Sequence, residues 1–343
     1  QVRRVGLSLE FGWPPMPESK SATLSMEVLL SEDDWAEHLR DETLLGLQQD
    51  PPSTPPVWFY DAVGSDLFDQ ITGLEEYYPT RAERAILAEF GNEIAGLSQA
   101  NSLIELGAGS ADKTRLLLQA LTDCGTLQRY VPVDCSQAAL IDAGQRVNSE
   151  FPSLAVDAIV ADFNAHLPHF PRGDCRMIAF LGSTIGNFTP AQRAMFLADV
   201  ADHLAPGDTL LLGTDLVKAP ERLIAAYNDA LGVTAAFNLN ALEVMNRQLG
   251  SDFDADRFHH DAVWNADDSR IEMRLVADSQ QRIVFSSLGG YAVEVPADGW
   301  IRTEISMKFT REQVAGELTD VGLDVVGQWT DPDADFLVTL ARR

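Results

Sequence analysis

From residue 102 onward, short apolar runs recur between longer stretches whose apolar positions fall three and four apart. Residues 102–106, 129–134, 154–160, 177–182 and 209–213 read as strands, and 113–122 and 137–148 as helices. Thr189 and Pro190 open a further helix, an N-cap hydroxyl followed by proline at the first helical position. Strands alternating with helices in this way predict a doubly wound α/β sheet, parallel in its body. Upstream, 33–47 has helical spacing around Trp35 and Leu39, and the proline-rich stretch 49–56 ends it. A helical stretch then runs through Leu67 and Ile71. Thr80 and Glu83, directly after Pro79, have the T-x-x-E spacing of a capping box and predict a helix running towards Gly91.

The rhythm fails between 217 and 308, where helical material (220–231, 235–249) gives way to alternating segments at 271–276, 281–285 and 303–309. That is too long for an ordinary connection in an α/β unit. It is read as an insertion that, together with residues 23–80, builds a second α+β lobe for substrate. A helix at 310–321 and strands at 323–329 and 335–341 return the chain to the sheet, the last two as an antiparallel hairpin. The cofactor domain is then 81–216 with 309–343, and residues 1–22 are read as a disordered tail.

Composition narrows the function. A chain of 343 residues with a formal charge of −27 repels phosphate backbones, so nucleic acid is a poor substrate. Cys124, Cys135 and Cys175 have no paired metal-ligand spacing, and reduced thiols in a cytosol are expected. No apolar run has the length of a membrane span, so no membrane partner is expected. His259 and His260 are adjacent with no carboxylate at ligand spacing, and no metal site is expected.

The chemistry begins at the end of the first predicted strand of the sheet, with Glu105, Gly107 and Gly109 in an E-x-G-x-G turn. Glycines there let a ligand approach backbone, and the helix that follows presents free N–H groups. A dinucleotide fingerprint needs glycine at 112, where this chain has Asp112, which counts against NAD or FAD. Asp134 ends the second strand, where an acid accepts from ribose hydroxyls; Asp162 and Phe163 end the third, an acceptor and an aromatic face for adenine. Each acid taken singly also reads as an N-cap or a solvated loop residue. Together on one sheet edge they fit a nucleoside without pyrophosphate, S-adenosylmethionine.

Longer segments carry a resemblance: 58–72 (WFYDAVGSDLFDQIT), 76–81 (EYYPTR), 180–187 (FLGSTIGN), 212–218 (LGTDLVK) and 232–238 (GVTAAFN). Over these, and from about residue 25 to the C-terminus, the chain resembles the ergothioneine-pathway L-histidine Nα-methyltransferases. The resemblance implies a class I methyltransferase fold, Rossmann-like. It implies S-adenosylmethionine as cofactor with S-adenosylhomocysteine as product, and trimethylation of free L-histidine to hercynine by a cytosolic monomer. By matching position it implies cofactor contacts at Gly107, Lys113, Asp134, Asp162 and Phe163. Tyr77, Asn187 and Tyr227 match residues that hold the amino acid's carboxylate and amine. Glu304 and Ser306 match those that grip the imidazole, and Met273 one that packs beside it. Tyr60 matches a tyrosine near the reacting nitrogen, and with Tyr77 is the catalytic candidate. The chain departs from the pattern at Ala108 and Asp112, and has no recognised counterpart before residue 23.

The residues themselves speak less clearly. Tyr77 and Tyr78 beside Pro79 read as packing around a helix start, Asn187 after Gly186 as a turn, and Tyr227 as a core aromatic. Glu304, among β-like residues, reads as a solvent-facing strand position. Three functions stay open: the same chemistry on another free amino acid such as tryptophan, a non-catalytic S-adenosylmethionine-binding regulator, and, least favoured by the charge, a protein or nucleic-acid methyltransferase.

Overall fold

A computed structural model describes residues 24–109, 113–171, 173 and 175–343. The tail read at 1–22, and Asp112, lie outside the described residues. The chain starts with β1 (Leu24–Val28), α1 (Glu32–Leu47), α2 (Ala62–Thr72) and α3 (Pro79–Ser98). An alternating run follows: β2 (Ser102–Leu106), α4 (Thr114–Asp123), β3 (Arg129–Asp134), α5 (Gln137–Glu150), β4 (Ala155–Val160), α6 (Phe163–His166), β5 (Arg176–Phe180), α7 (Pro190–His203) and β6 (Thr209–Asp215). The insertion contributes α8 (Pro220–Tyr227), α9 (Val233–Leu249), β7 (Phe258–Asn265), β8 (Arg270–Ala277), β9 (Gln281–Phe285), β10 (Tyr291–Val295) and β11 (Trp300–Met307). The chain ends with α10 (Arg311–Asp320), β12 (Asp324–Thr330) and β13 (Phe336–Arg342).

The main sheet has eight strands in the order β1-β4-β3-β2-β5-β6-β13-β12. β1 to β6 run parallel, and β13 is antiparallel to both β6 and β12, as the predicted hairpin requires. β5 and β6 are buried along their whole length, as a sheet covered on both faces demands. Alternate residues serve opposite layers: Ile104 and Leu106 pack with α7 and α10, while Leu103, Tyr130 and Leu211 pack with α3 and α4. The strand order reverses at β2, between β3 and β5, so the carboxyl edge there is where an open α/β sheet receives ligand. β1 was expected with the second lobe but pairs with β4 at the sheet edge, from Leu24↔Val156 to Val28↔Val160. β7 and β10 were not read from the sequence at all. Their polar interruptions at His259–Asp261 and Glu294 hide the alternation.

α1, α2, α8 and α9 share one apolar core with the three-stranded sheet β11-β8-β7 and the hairpin β9–β10. The connector after α1 is held from inside, since buried Trp58 donates from Nε1 to Thr43 Oγ1 at 2.9 Å. Asp61 then caps α2, accepting from Gly64 N at 2.8 Å and from Asn240 Nδ2 at 2.8 Å, with Arg247 on its other oxygen. The helix-start expectation at Thr80 is overturned. α3 opens at Pro79 with no side-chain cap, and Glu83 turns inward, fully buried, to other partners. Thr189 does cap α7 as expected, and a capping box with Gln192, not read from the sequence, forms there.

The turn before α2 leaves no room at Gly64, where an added Cβ would stand 1.6 Å from the Phe59 carbonyl oxygen. Gly64→Ala must therefore shift α2 away from the connector that carries Tyr60. A loss of about 3 kcal/mol is expected in urea unfolding, at the upper end of overpacking costs; a loss under 0.5 kcal/mol would refute this packing.

Candidate active site

The carboxyl edge of β2 and β3 carries a backbone cradle. Gly107 and Gly109 adopt φ of +67° and +49°, a region glycine enters without steric cost. A Cβ on Gly107 would first meet Phe163 Cε1 at 4.0 Å, and one on Gly109 would meet nothing within 4 Å, so the loop's surface is open to a ligand. The loop is pinned from below by Gly107 N and Ala108 N to Val133 O, at 2.9 and 3.1 Å. Asp134 ties it to the next loop, accepting from Gly109 N at 3.1 Å and from Ser136 N at 2.9 Å. Each carboxylate oxygen keeps a further acceptor direction. Phe163 stands edge-on to Phe180 at 5.3 Å, and Asp162 beside it lies 4.0 Å from His38 Nε2, which α1 brings across from the other lobe. Glu105, which faces α4, is spent inside the fold on Thr114 and Tyr130, and burial pushes its carboxyl up to about 7 against those two hydrogen bonds.

Lys113 stands at the start of α4 and is ion-paired with Glu83. Glu83 also accepts from Gly182 N at 2.8 Å, and an added Cβ on Gly213 would sit 2.2 Å from its Oε1. One buried carboxylate thus joins α3, the start of α4 and the ends of β5 and β6. Lys113, Gly107, Asp134, Asp162 and Phe163 all fall on this edge. An open glycine loop, two carboxylates for hydroxyl or amine donors, an aromatic face and a cation suit a nucleoside with an amino-acid tail.

The second set lies where the insertion leaves and rejoins the sheet. β11 carries an irregularity: Arg302 pairs with Arg274 and Glu304 with Met273, leaving Thr303 over. Thr303 is held by Asn238 Oδ1 at 2.7 Å and Met273 O at 3.2 Å, and Asn238 bonds His260, whose Nε2 reaches Tyr227 O at 2.8 Å. A bulge re-aims the residues after it, and here Glu304 and Ser306 come to share a face with Met273. With its amide nitrogen towards β11, Asn187 donates to Glu304 Oε1 at 3.3 Å and Ile305 O at 3.2 Å. Burial raises Glu304 to about 7, with the Lys308 ammonium opposing.

Tyr227 and Ser306 share a hydrogen bond of 2.8 Å, and buried Lys308 donates to both at 2.9 Å. Lys308 also pairs with Asp215 at 2.8 Å. Asp215 is 1% exposed and further holds Lys218 at 2.5 Å and the Tyr78 hydroxyl at 2.9 Å on both oxygens. A run of rings, Tyr60 to Phe68 (5.7 Å), Phe68 to Tyr77 (6.2 Å) and Tyr77 to Tyr227 (6.3 Å), closes the other wall. Burial, then neighbouring negative and phenolic groups, lifts the hydroxyls of Tyr60, Tyr77 and Tyr227 above the ordinary phenol range, so they stay protonated at neutral pH. Tyr60 exposes half of its surface as a residue, but its hydroxyl end is desolvated and feels both Glu304 and Asp134, which places it between the two sets.

The residues Tyr60, Tyr77, Asn187, Tyr227, Met273, Glu304 and Ser306 are therefore one constellation. Sequence reasoning gave Glu83 only a capping role and Tyr78 only a packing role, and gave none to Asp215, Lys218 or Lys308. Asp215 had a signal, since it ends a parallel strand as Asp134 does; the buried lysines had none. A cavity of about 310 Å³ beside Tyr78, lined by Glu75, Arg81 and Arg222 among others, holds none of the seven, and its arginines are already bound to protein oxygens. Asp331, Asp333 and Asp335 cluster at the β12–β13 turn, where Asp331 accepts from the N–H groups of Asp335 (2.9 Å) and Phe336 (2.8 Å).

The model of a family described as histidine-specific methyltransferase, SAM-dependent, matches residues 39–343. The chain is 50% identical over 321 residues to a histidine N-alpha-methyltransferase of Mycolicibacterium smegmatis, across 94% of this chain and 100% of that protein. It is 48% identical to a histidine N-alpha-methyltransferase of Mycobacterium tuberculosis, across 92% and 98%. It is 31% identical to ergothioneine biosynthesis protein 1 of Neurospora crassa, across 82% of this chain and 32% of that one.

Glu83→Ala would strand the Lys113 ammonium among α3, α4 and β5. The expected loss is about 3 kcal/mol, the lower end for one partner of a buried pair because Lys113 reaches some solvent. A helix-cap role would cost about 1 kcal/mol, and urea unfolding of the variant separates the two.

Proposed function

The chain belongs to the histidine-specific, SAM-dependent methyltransferase family, and from that premise we propose that it methylates the α-amine of free L-histidine three times, giving hercynine. The observation that carries this is the second constellation. The Glu304 carboxylate, desolvated although the residue is only partly buried, stands near the Ser306–Tyr227 hydroxyl pair, and the rings of Tyr77, Phe68 and Tyr60 lead away from it. An imidazole needs the polar end and a methylated ammonium suits the aromatic end. The two named histidine N-alpha-methyltransferases, aligned over nearly the whole chain, support the same reading.

In this reading Gly107 and Gly109 admit the nucleoside, Asp134 takes its ribose, Asp162 and Phe163 its adenine, and Lys113 its carboxylate. The bound sulfonium supplies an electrophilic methyl group, so no metal or covalent intermediate is called for. Asn187, Tyr77 and Tyr227 hold the amino acid's carboxylate and amine; Glu304 and Ser306 hold its ring, with Met273 against it. The amine attacks only as a neutral nitrogen. Tyr60 and Tyr77, kept protonated, orient that nitrogen through their hydroxyls rather than act as strong bases. Catalysis is then mostly placement of nitrogen and methyl carbon in line within a cleft shielded from water. Phe68 and Phe237 around Tyr60 give the growing cation aromatic faces.

The proposal includes a monomer in the cytosol, a reducing compartment that the three unpaired cysteines suit. No helix among the described residues is long and apolar enough to cross a membrane. Mass spectrometry of the protein incubated with S-adenosylmethionine and an equimolar amino-acid mixture tests the substrate. A gain of three methyl groups on histidine alone is expected; a gain on tryptophan would overturn the roles given to Glu304 and Ser306, and no gain on any amino acid with cofactor bound would favour a regulator.

Two further outcomes follow from Glu304. Glu304→Ala is expected to weaken histidine binding roughly 10- to 100-fold, the worth of a hydrogen bond to a charged group, with cofactor affinity unchanged in isothermal titration. Because an ionised carboxylate is the stronger acceptor for an imidazole N–H, kcat/KM for histidine should rise as pH climbs through about 7. In Glu304→Gln that acid limb should become shallower, leaving the substrate's own imidazole and α-amine ionisations; an unchanged limb would remove Glu304 from the titration.

A further inference from the structure

Proton counting around Lys308 goes further than the assignment of ring contacts. An ammonium has three N–H donors and no acceptor. Lys308 Nζ has three oxygens at 2.8–2.9 Å: Asp215 Oδ2, Tyr227 OH and Ser306 Oγ. The lysine is 1% exposed and forms an ion pair with Asp215 as an ammonium. Towards it, Tyr227 and Ser306 act only as acceptors. The two hydroxyls have two protons between them, and their mutual bond of 2.8 Å consumes one, whichever of them donates. One hydroxyl proton is left over, with neither Lys308 nor the other hydroxyl to receive it. Asn187 presents donors to Glu304, so the carboxylate remains the acceptor at this end of the cleft.

We propose that Lys308, anchored on Asp215, is a positioning residue for substrate specificity: it forces one Tyr227/Ser306 hydroxyl proton into the ring pocket, so that the pocket offers one donor beside one carboxylate acceptor and binds a neutral imidazole. A neutral imidazole has one N–H and one bare nitrogen, the complement of that pair, whereas an imidazolium has two N–H groups and leaves the hydroxyl donor opposed. A ring of the same size without nitrogen satisfies neither group. This inference rests on the proposed histidine substrate, and it concerns a residue with no ring contact assigned to it.

The test compares dissociation constants for histidine and β-(2-thienyl)alanine, both with S-adenosylhomocysteine present, in the native protein and in Lys308→Met. The methionine fills the lysine's volume without donors. Histidine should lose tenfold or more in affinity and the analogue less than threefold, so the preference for histidine falls, while S-adenosylhomocysteine binding stays native and reports a folded protein. Equal losses for both ligands would mean that Lys308 only supports the fold, and would overturn the proposal. A measurement on the native protein does not depend on the variant folding: nitrogen NMR of ring-labelled histidine in the ternary complex at pH 7. One protonated and one bare ring nitrogen are expected, and two protonated nitrogens would overturn the proposal. A native protein that neither binds nor methylates histidine would instead sink the substrate reading on which it rests.

Discussion

A single buried carboxylate, Asp215, holds the two lobes of this molecule in register. It ends β6, where the insertion leaves the sheet, and the insertion returns beside it: Phe309 N donates to Asp215 O and Val217 N to Phe309 O, each at 2.9 Å. Its side chain collects Lys218 from the outgoing segment, Lys308 from the returning one and Tyr78 from the approach to α3. A carboxylate 1% exposed is tolerable only because cations and hydroxyls surround it. Exchanging Asp215 itself for an apolar residue would leave the buried Lys308 ammonium without its counter-charge. Such a cluster specifies geometry more than it adds stability, and the geometry it specifies is that of Tyr227 and Ser306.

A second buried carboxylate, Glu83, does for the cofactor edge what Asp215 does for the substrate cleft. It binds Lys113 and the Gly182 amide from a position in α3, under the ends of β5 and β6. Both sets of functional side chains therefore rest on charged groups inside the fold, rather than on loops alone. The glycine loop is the exception, and there the backbone itself is the binding surface. Between the two edges stands the short helical turn Thr184–Asn187, with Gly186 packed against the Met307 backbone and Asn187 reaching Glu304.

The bulge at Thr303 shows how a strand becomes a specificity element. Without the extra residue, the two-residue period of β11 would turn Glu304 to the other face. Thr303 is fixed by Asn238, and Asn238 by His260, whose ring burial keeps neutral. The polar network behind the cleft thus decides which face of a strand carries the chemistry.

The sequence by itself determined the alternation of β2 to β6 with their helices, the terminal hairpin, the insertion, and the edge on which Gly107, Asp134, Asp162 and Phe163 meet. These follow from local periodicity and from glycine or acid at strand ends, which neighbouring residues suffice to reveal. Tyr77, Asn187, Tyr227, Glu304 and Ser306 became visible through resemblance alone, because each has an ordinary packing or surface role in its own segment. Only the tertiary structure decided the rest. Glu83 left the capping box its spacing suggested because a part-buried lysine and a free amide offered stronger partners. β1 joined the sheet rather than the lobe because the β4 edge was there to pair with. Lys218, Lys308 and Asp215 lie up to 93 residues apart in sequence (308 minus 215), and a charge is buried or solvated according to what folds against it, which no local pattern records.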